Sequence, residues 1–152
     1  MTEKQFAYNR KALHDYHILE KVEAGIALTG PEVKSVRGGH ISLREAYARI
    51  ENGEAWLLGA HIAPYSHGNR YNPEPTRPRK LLLHRDEIGA LAGKVKQGGY
   101  TLVPLRVYDS KGHIKVELAL ARGKKQWDKR EAIAAREAQR DIQRAIRERA
   151  RA

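Results

Sequence analysis

Ala46-Tyr47-Ala48-Arg49-Ile50-Glu51-Asn52-Gly53-Glu54-Ala55-Trp56-Leu57-Leu58-Gly59-Ala60-His61-Ile62 places two apolar runs, Ala46 to Ile50 and Ala55 to Ile62, on either side of an Asn-Gly turn. Asn and Gly both tolerate positive φ, which a two-residue turn needs if it is to match the right-handed twist of paired strands. A β-hairpin is expected here. Working outward, Tyr100 to Tyr108 and His113 to Ala121 alternate around Asp109-Ser110-Lys111-Gly112, which predicts a closing hairpin. Tyr16 to Leu28 holds two shorter β-like runs broken at Glu23-Ala24-Gly25, read as a third turn. Many short strands with small helices between them point to a mainly β fold: an antiparallel oligonucleotide-binding-like barrel with two or three short helices.

The helices are marked by their ends. Gly30-Pro31-Glu32 has proline where a first helical turn accepts it, and Gly38-Gly39 stops the segment after about two turns. Val33 and Val36 are expected on its buried face, with Glu32, Lys34 and Ser35 pointing elsewhere. His84 to Gln97 carries Ile88, Leu91 and Val95 at helical spacing before Gly98-Gly99. Four prolines (64, 73, 75 and 78) fall between these helices with Tyr65, Tyr71, Asn72, Arg77 and Arg79, predicting a long, mobile loop. The first dozen residues are polar and basic and are also expected to be mobile.

Charge is concentrated at the far end. The chain carries a net +11 over 152 residues, and residues 122–152 hold 11 Lys and Arg against 5 Asp and Glu. Arg136, Arg140, Arg144, Arg147 and Arg151 recur at helical spacing, opposite Ala138, Ile142, Ala145 and Ile146. That stripe is too thin for a core, and its intrahelical ion pairs contribute only a few tenths of a kcal/mol each. Two units are therefore expected: residues 1–122 as an RNA-binding barrel, and 123–152 as a basic tail, disordered or helical when it meets RNA. Clustered cations release counterions from nucleic acid, which makes RNA or DNA the leading partner. A membrane-surface anchor is the competing reading, but such helices carry bulky Trp, Phe or Leu where this one offers Ala and Ile.

Other classes of chemistry find no support. Cysteine is absent, so there is neither a disulfide framework nor thiolate chemistry. No window approaches the ~20 apolar residues of a membrane span, and a soluble, unprocessed, cytoplasmic monomer is expected. No phosphate loop or dinucleotide fingerprint is present. The seven histidines are scattered, and His14 and His17 straddle an expected strand start rather than sharing a helix, so no metal site is expected. Without a nucleophile elbow or paired acid and base, no catalytic residue is assigned and no cofactor is implied.

Candidate RNA-facing residues follow from chemistry. Glu32 is an acid beside Lys34 and Arg37, able to accept hydrogen bonds from base amino groups or a 2′-hydroxyl. The competing reading is that it stabilises the first turn of its helix. Arg79-Lys80 forms a weak two-residue phosphate clamp, and Tyr16, Tyr65 and especially Tyr71 are available to stack on unpaired bases.

Taken in order, Asn9-Arg10-Lys11-Ala12, Glu23-Ala24-Gly25-Ile26, Gly30-Pro31-Glu32-Val33-Lys34-Ser35, Arg79-Lys80-Leu81-Leu82-Leu83-His84, Val103-Pro104-Leu105 and Gly123-Lys124-Lys125-Gln126-Trp127-Asp128-Lys129-Arg130 resemble the small protein B family. That family binds transfer-messenger RNA and brings it to stalled ribosomes. The resemblance spans essentially the whole chain. It implies a barrel that grips the tRNA-like domain of that RNA, standing in for a missing anticodon arm. It also implies a tail that folds in the small-subunit decoding centre and messenger channel, against ribosomal RNA. Asn9, Arg10, Lys11, Glu32, Lys34, Ser35, Arg37, Arg79, Lys80 and Leu82 would then shape or form the RNA surface. Lys124, Lys125, Trp127, Asp128, Lys129, Arg130, Arg136, Arg140, Arg144 and Arg147 would serve the tail. Trp127 stands where the family often has histidine, which keeps a flat ring but loses a titratable nitrogen; Pro31 replaces an aromatic found in some relatives. The alternative reading is a structural ribosomal protein, or another basic barrel bound to ribosomal RNA.

Overall fold

The computed structural model describes residues 4–65, 72–124 and 136–147. Nine strands and three helices make up the body: β1 (Gln5–Tyr8), α1 (Arg10–Asp15), β2 (Tyr16–Ile26), α2 (Gly30–Arg37), β3 (Ile41–Ser42), β4 (Tyr47–Glu51), β5 (Glu54–Leu58), β6 (His61–Ile62), β7 (Arg79–Leu82), α3 (Arg85–Lys96), β8 (Thr101–Ser110) and β9 (His113–Gly123). A fourth helix, α4, covers residues 136–147.

The two long hairpins are the frame. β4 and β5 pair in register from Tyr47↔Leu58 to Glu51↔Glu54, with Asn52 and Gly53 both at positive φ (53° and 74°). The β8–β9 turn is tighter than the sequence suggested, because Lys111 and Gly112 alone occupy it at φ 52° and 84°, and Asp109 and Ser110 extend the strand. Antiparallel pairings then run β8–β4–β5–β7–β2–β9 and return to β8, with β1 added on β8. The ring closes through two narrow seams: β4 meets β8 at Ala48↔Leu102, and β2 meets β7 at Gly25↔Leu82 and Ile26↔Leu81.

Three sequence expectations change. Glu23-Ala24-Gly25 is no turn: β2 runs unbroken through it, paired with β9 from Tyr16↔Gly123 to Gly25↔Lys115. Gly25 lies where a Cβ would approach the Leu82 Cβ to 3.2 Å, so the glycine serves a close strand crossing instead. The run Ala55 to Ile62 divides at Gly59 (φ 75°), and His61–Ile62 leaves to pair with β3. Residues 4–12 are ordered into β1 and α1, held by Asn9, whose amide donates to Pro104 O (2.9 Å) and Leu43 O (3.3 Å).

Val36, Leu57, Leu81, Val107, Val116 and Leu118 are fully or almost fully buried inside the ring. Each such side chain contributes about 1.5–3 kcal/mol relative to exposure. Outside it, Ala12 seals α1 against Val103, Leu105, Ala119 and Ala121. β8 and β9 are therefore covered on both faces, and the switch between faces falls at a bulge between Pro104 and Arg106, where proline's missing N–H is tolerated.

Candidate nucleic-acid interface

Glu32 occupies the third position of α2 and is 2% exposed. Thr29 caps the helix and accepts from the Glu32 N–H, while the Thr29 N–H donates back to Glu32 Oε1 at 3.0 Å. Arg77 reaches both carboxylate oxygens, and Arg79 Nε donates to Oε2 at 2.9 Å. Arg79 is wholly buried and also donates to Ala60 O (2.8 Å) and Pro75 O (2.9 Å). Burial pushes the Glu32 carboxyl up, but the hydrogen bonds from Arg77, Thr29 and Arg79 outweigh it and hold the group below its ordinary value. Burial depresses the Arg79 guanidinium, and its contact with Glu32 opposes that shift. Among the described residues, no buried side-chain nitrogen or oxygen lacks a partner.

This corrects two readings. Both Glu32 oxygens are occupied from within, so the carboxylate ties α2 to the start of β7 through Arg79 and to the segment before it through Arg77, rather than facing a ligand. The Arg79-Lys80 clamp does not form, because neighbours on a strand face opposite sides: Arg79 points inward and Lys80 outward, 3.2 Å from Glu54. Ser35 is also turned inward, donating to Ala63 O at 2.6 Å, while Val33 is only half-buried. A four-residue spacing from Glu32 to Val36 and three from Glu32 to Ser35 put the polar pair on the buried face once partners exist for them. Arg77, which sequence reasoning missed, left no local signal because its partner is 45 residues away.

What α2 and β7 leave outside is a groove of about 260 Å3 lined by Gly25, Ile26, Leu28, Val33, Arg37, Leu82, His113 and Lys115. Leu82 is 53% exposed, a large apolar group held in water by its strand register. Arg37 closes one side, donating to Gly112 O (2.9 Å) and lying 3.4 Å from Asp109. Lys34 is exposed on the same helix as Arg37, its ammonium 5.3 Å from the Tyr65 ring centre. An apolar contact flanked by cations can pack on a ribose or base while neighbouring phosphates meet Lys and Arg. His113 and Lys115 were also missed, since on β9 they read only as one face of an alternating strand.

A second basic region surrounds α1. Asn9 is buried as the N-cap, its Oδ1 accepting from the Ala12 N–H at 3.2 Å, and it presents the exposed Arg10 and Lys11. Arg44, unnoticed in the sequence, lines a groove with them of about 350 Å3. Lys11 approaches Glu45 at 3.6 Å, a solvent-exposed pair of small energetic weight. The same helix receives the tail: the Lys124 N–H donates to Asp15 O at 2.8 Å. Arg136, Arg140, Arg144 and Arg147 lie on α4, every residue of which is exposed. Lys125, Trp127, Asp128, Lys129, Arg130 and Tyr71 lie outside the described residues.

The described residues hold no cluster of metal-ligating side chains and no helix long and apolar enough to cross a membrane. Comparison with known proteins is consistent along the chain. A family model described as SmpB protein matches residues 6–148. The SsrA-binding protein of Carboxydothermus hydrogenoformans is 60% identical over 147 residues, 97% of this chain and 99% of that protein. The SsrA-binding protein of Roseiflexus castenholzii is 61% identical over 150 residues, 98% of this chain and 95% of its own length. A solved chain from "tmRNA-SmpB: a journey to the center of the bacterial ribosome" matches with a TM-score of 0.66 at 52% identity, covering 83% of this chain and 92% of that one. The mainly antiparallel β body and the sequence thus agree, and the chain belongs to the SmpB protein family.

Proposed function

We propose that this chain is a non-enzymatic adaptor that binds the tRNA-like domain of transfer-messenger RNA and delivers it to stalled ribosomes for trans-translation. The observation that carries the reading is the groove around Leu82, an exposed apolar side chain among Arg37, His113 and Lys115, in a chain so similar to SsrA-binding proteins. A groove built on packed strands is preformed and loses little entropy on binding, so it supplies shape and affinity. Arg10, Lys11, Lys34, Arg37, Lys80 and Leu82 touch the RNA in this reading. Asn9, Glu32, Ser35 and Arg79, all buried, hold the elements that present those residues.

Residues 1–122 thus act as the RNA-gripping unit, and the tail from 123 enters the decoding centre and messenger channel. There Lys124, Lys125, Lys129, Arg130 and the arginines of α4 neutralise ribosomal RNA phosphates, and Trp127 stacks on a base. The role is one of holding and positioning, with no covalent step, and its place is the cytoplasm, where ribosomes stall. The test is to capture the tagged chain from cells and sequence the RNA that comes with it. Transfer-messenger RNA should dominate and the chain should leave ribosomes in a high-salt wash. Stoichiometric retention on ribosomes with ribosomal RNA alone would favour a structural ribosomal protein instead.

A further inference from the structure

Far from the Leu82 groove, the narrow seam between β4 and β8 opens into a third pocket, of about 350 Å3. β4 and β8 join through Ala48↔Leu102, and the strands part where Ile50 and Tyr100 would come next in that register. Val95 and Lys96 of α3 also line the gap, Ala48, Ile50 and Leu102 belong to the core behind it, and Tyr47 and Arg49 share the outward face of β4. Tyr47 stands at the rim, 41% exposed, with the half-buried Tyr100 across the gap and with Arg49 and Lys96 beside them. The lining contains no acid; Arg49 is paired at 2.9 Å with Glu51, but both are more than half exposed, so an incoming phosphate can replace that partner.

Thr101 pairs with Ala121, whereas Ser110 pairs with His113 beside the Leu82 groove. The two sites therefore lie at opposite ends of the β8–β9 hairpin, about 30 Å apart at the rise of an extended strand. The seam pocket is at the end from which the tail departs, since Gly123 pairs with Tyr16 there.

We infer that the β4–β8 seam pocket binds an unpaired nucleotide of RNA, its base stacked on Tyr47 and its phosphates met by Arg49, on the same face of β4, and by the exposed Lys96. An aromatic group with flanking cations is what single-stranded nucleic acid needs, since every base has a π-face and every linkage a charge. The site adds to the proposed tRNA-like-domain groove and shares with it only the premise that the partner is RNA.

The experiment titrates the full-length chain with a fluorescein-labelled unstructured RNA hexamer and with the same hexamer made abasic. Contacts of the tail to phosphates are common to both probes. Wild type should prefer the base-bearing hexamer by about fivefold or more, Tyr47→Phe should keep that preference, and Tyr47→Ala should abolish it. The tRNA-like domain, titrated in parallel, should bind all three proteins alike. Equal preference in wild type and Tyr47→Ala would overturn the stacking site. If wild type failed to bind the tRNA-like domain while the hexamer contrast held, the proposed function would fall and this pocket would stand.

Discussion

Glu32 shows most clearly how a single residue is read differently once its partners are known. In the sequence it is an acid among cations, open to a base amino group but placed where it stabilises the first turn of a helix. The decisive neighbours, Arg77 and Arg79, are more than 40 positions away, and no local pattern announces them. With the network formed, removing its charge leaves two guanidinium groups facing a neutral partner in the interior. Glu32→Gln is therefore expected to cost about 3 kcal/mol of stability at neutral pH. The pH dependence follows from the lowered carboxyl. The stabilisation is fully present above the ordinary value of 4.5 and is lost as pH falls through the depressed folded value. Denaturant unfolding of wild type and Glu32→Gln should give curves that are furthest apart at pH 7 and converge in acid. A gap independent of pH would show that the carboxylate charge is not what the network uses.

At the scale of elements, what was legible was what depends on neighbours in sequence. Asn52-Gly53 dictates its hairpin through positive φ, the second hairpin turns within Asp109-Ser110-Lys111-Gly112, and Gly30-Pro31-Glu32 marks the start of α2 with proline in its first turn. What was not legible depends on contacts made across the sheet. Ala24-Gly25 has turn composition but is buried beneath Leu82, and the polar segment 4–12 is ordered by backbone bonds to β8 and by the Asn9 amide. Gly59 also belongs here. It combines φ 75° with a position where a Cβ would fall 2.5 Å from Glu45 O, so backbone rather than a flexible side chain blocks it. Gly59→Ala should destabilise the fold by about 1–3 kcal/mol from the left-handed conformation alone, with the steric clash adding to it. Thermal melting checks this, and an unchanged midpoint would mean that the bend between β5 and β6 relaxes freely.

Across the whole molecule, the body presents a fixed groove and the tail a line of charge. The basic, thinly amphipathic character of residues 136–147 was readable from arginine spacing, and α4 follows it; no core is offered for that helix to join, so every residue stays exposed. A chain ending at Lys124 keeps the bond to Asp15 and loses only the tail. Its affinity for the tRNA-like domain should stay within about threefold of the full chain. The slope of log K against log salt should change by less than the ~0.7–0.9 of one phosphate contact. Loss of most specific binding on truncation would dissolve the division of labour between body and tail.

The most direct measurement is the affinity of the tRNA-like domain for wild type and for Leu82→Asp at one fixed salt concentration. Leu82 is half exposed and takes little part in the core, so the variant should melt near wild type while placing a negative charge in the middle of the groove. Repulsion of nearby phosphates and loss of the apolar contact together are expected to weaken binding by at least tenfold, about 1.4 kcal/mol. An Asp variant that folds normally and binds the tRNA-like domain as tightly as wild type would contradict the assignment of this groove as the RNA-binding surface.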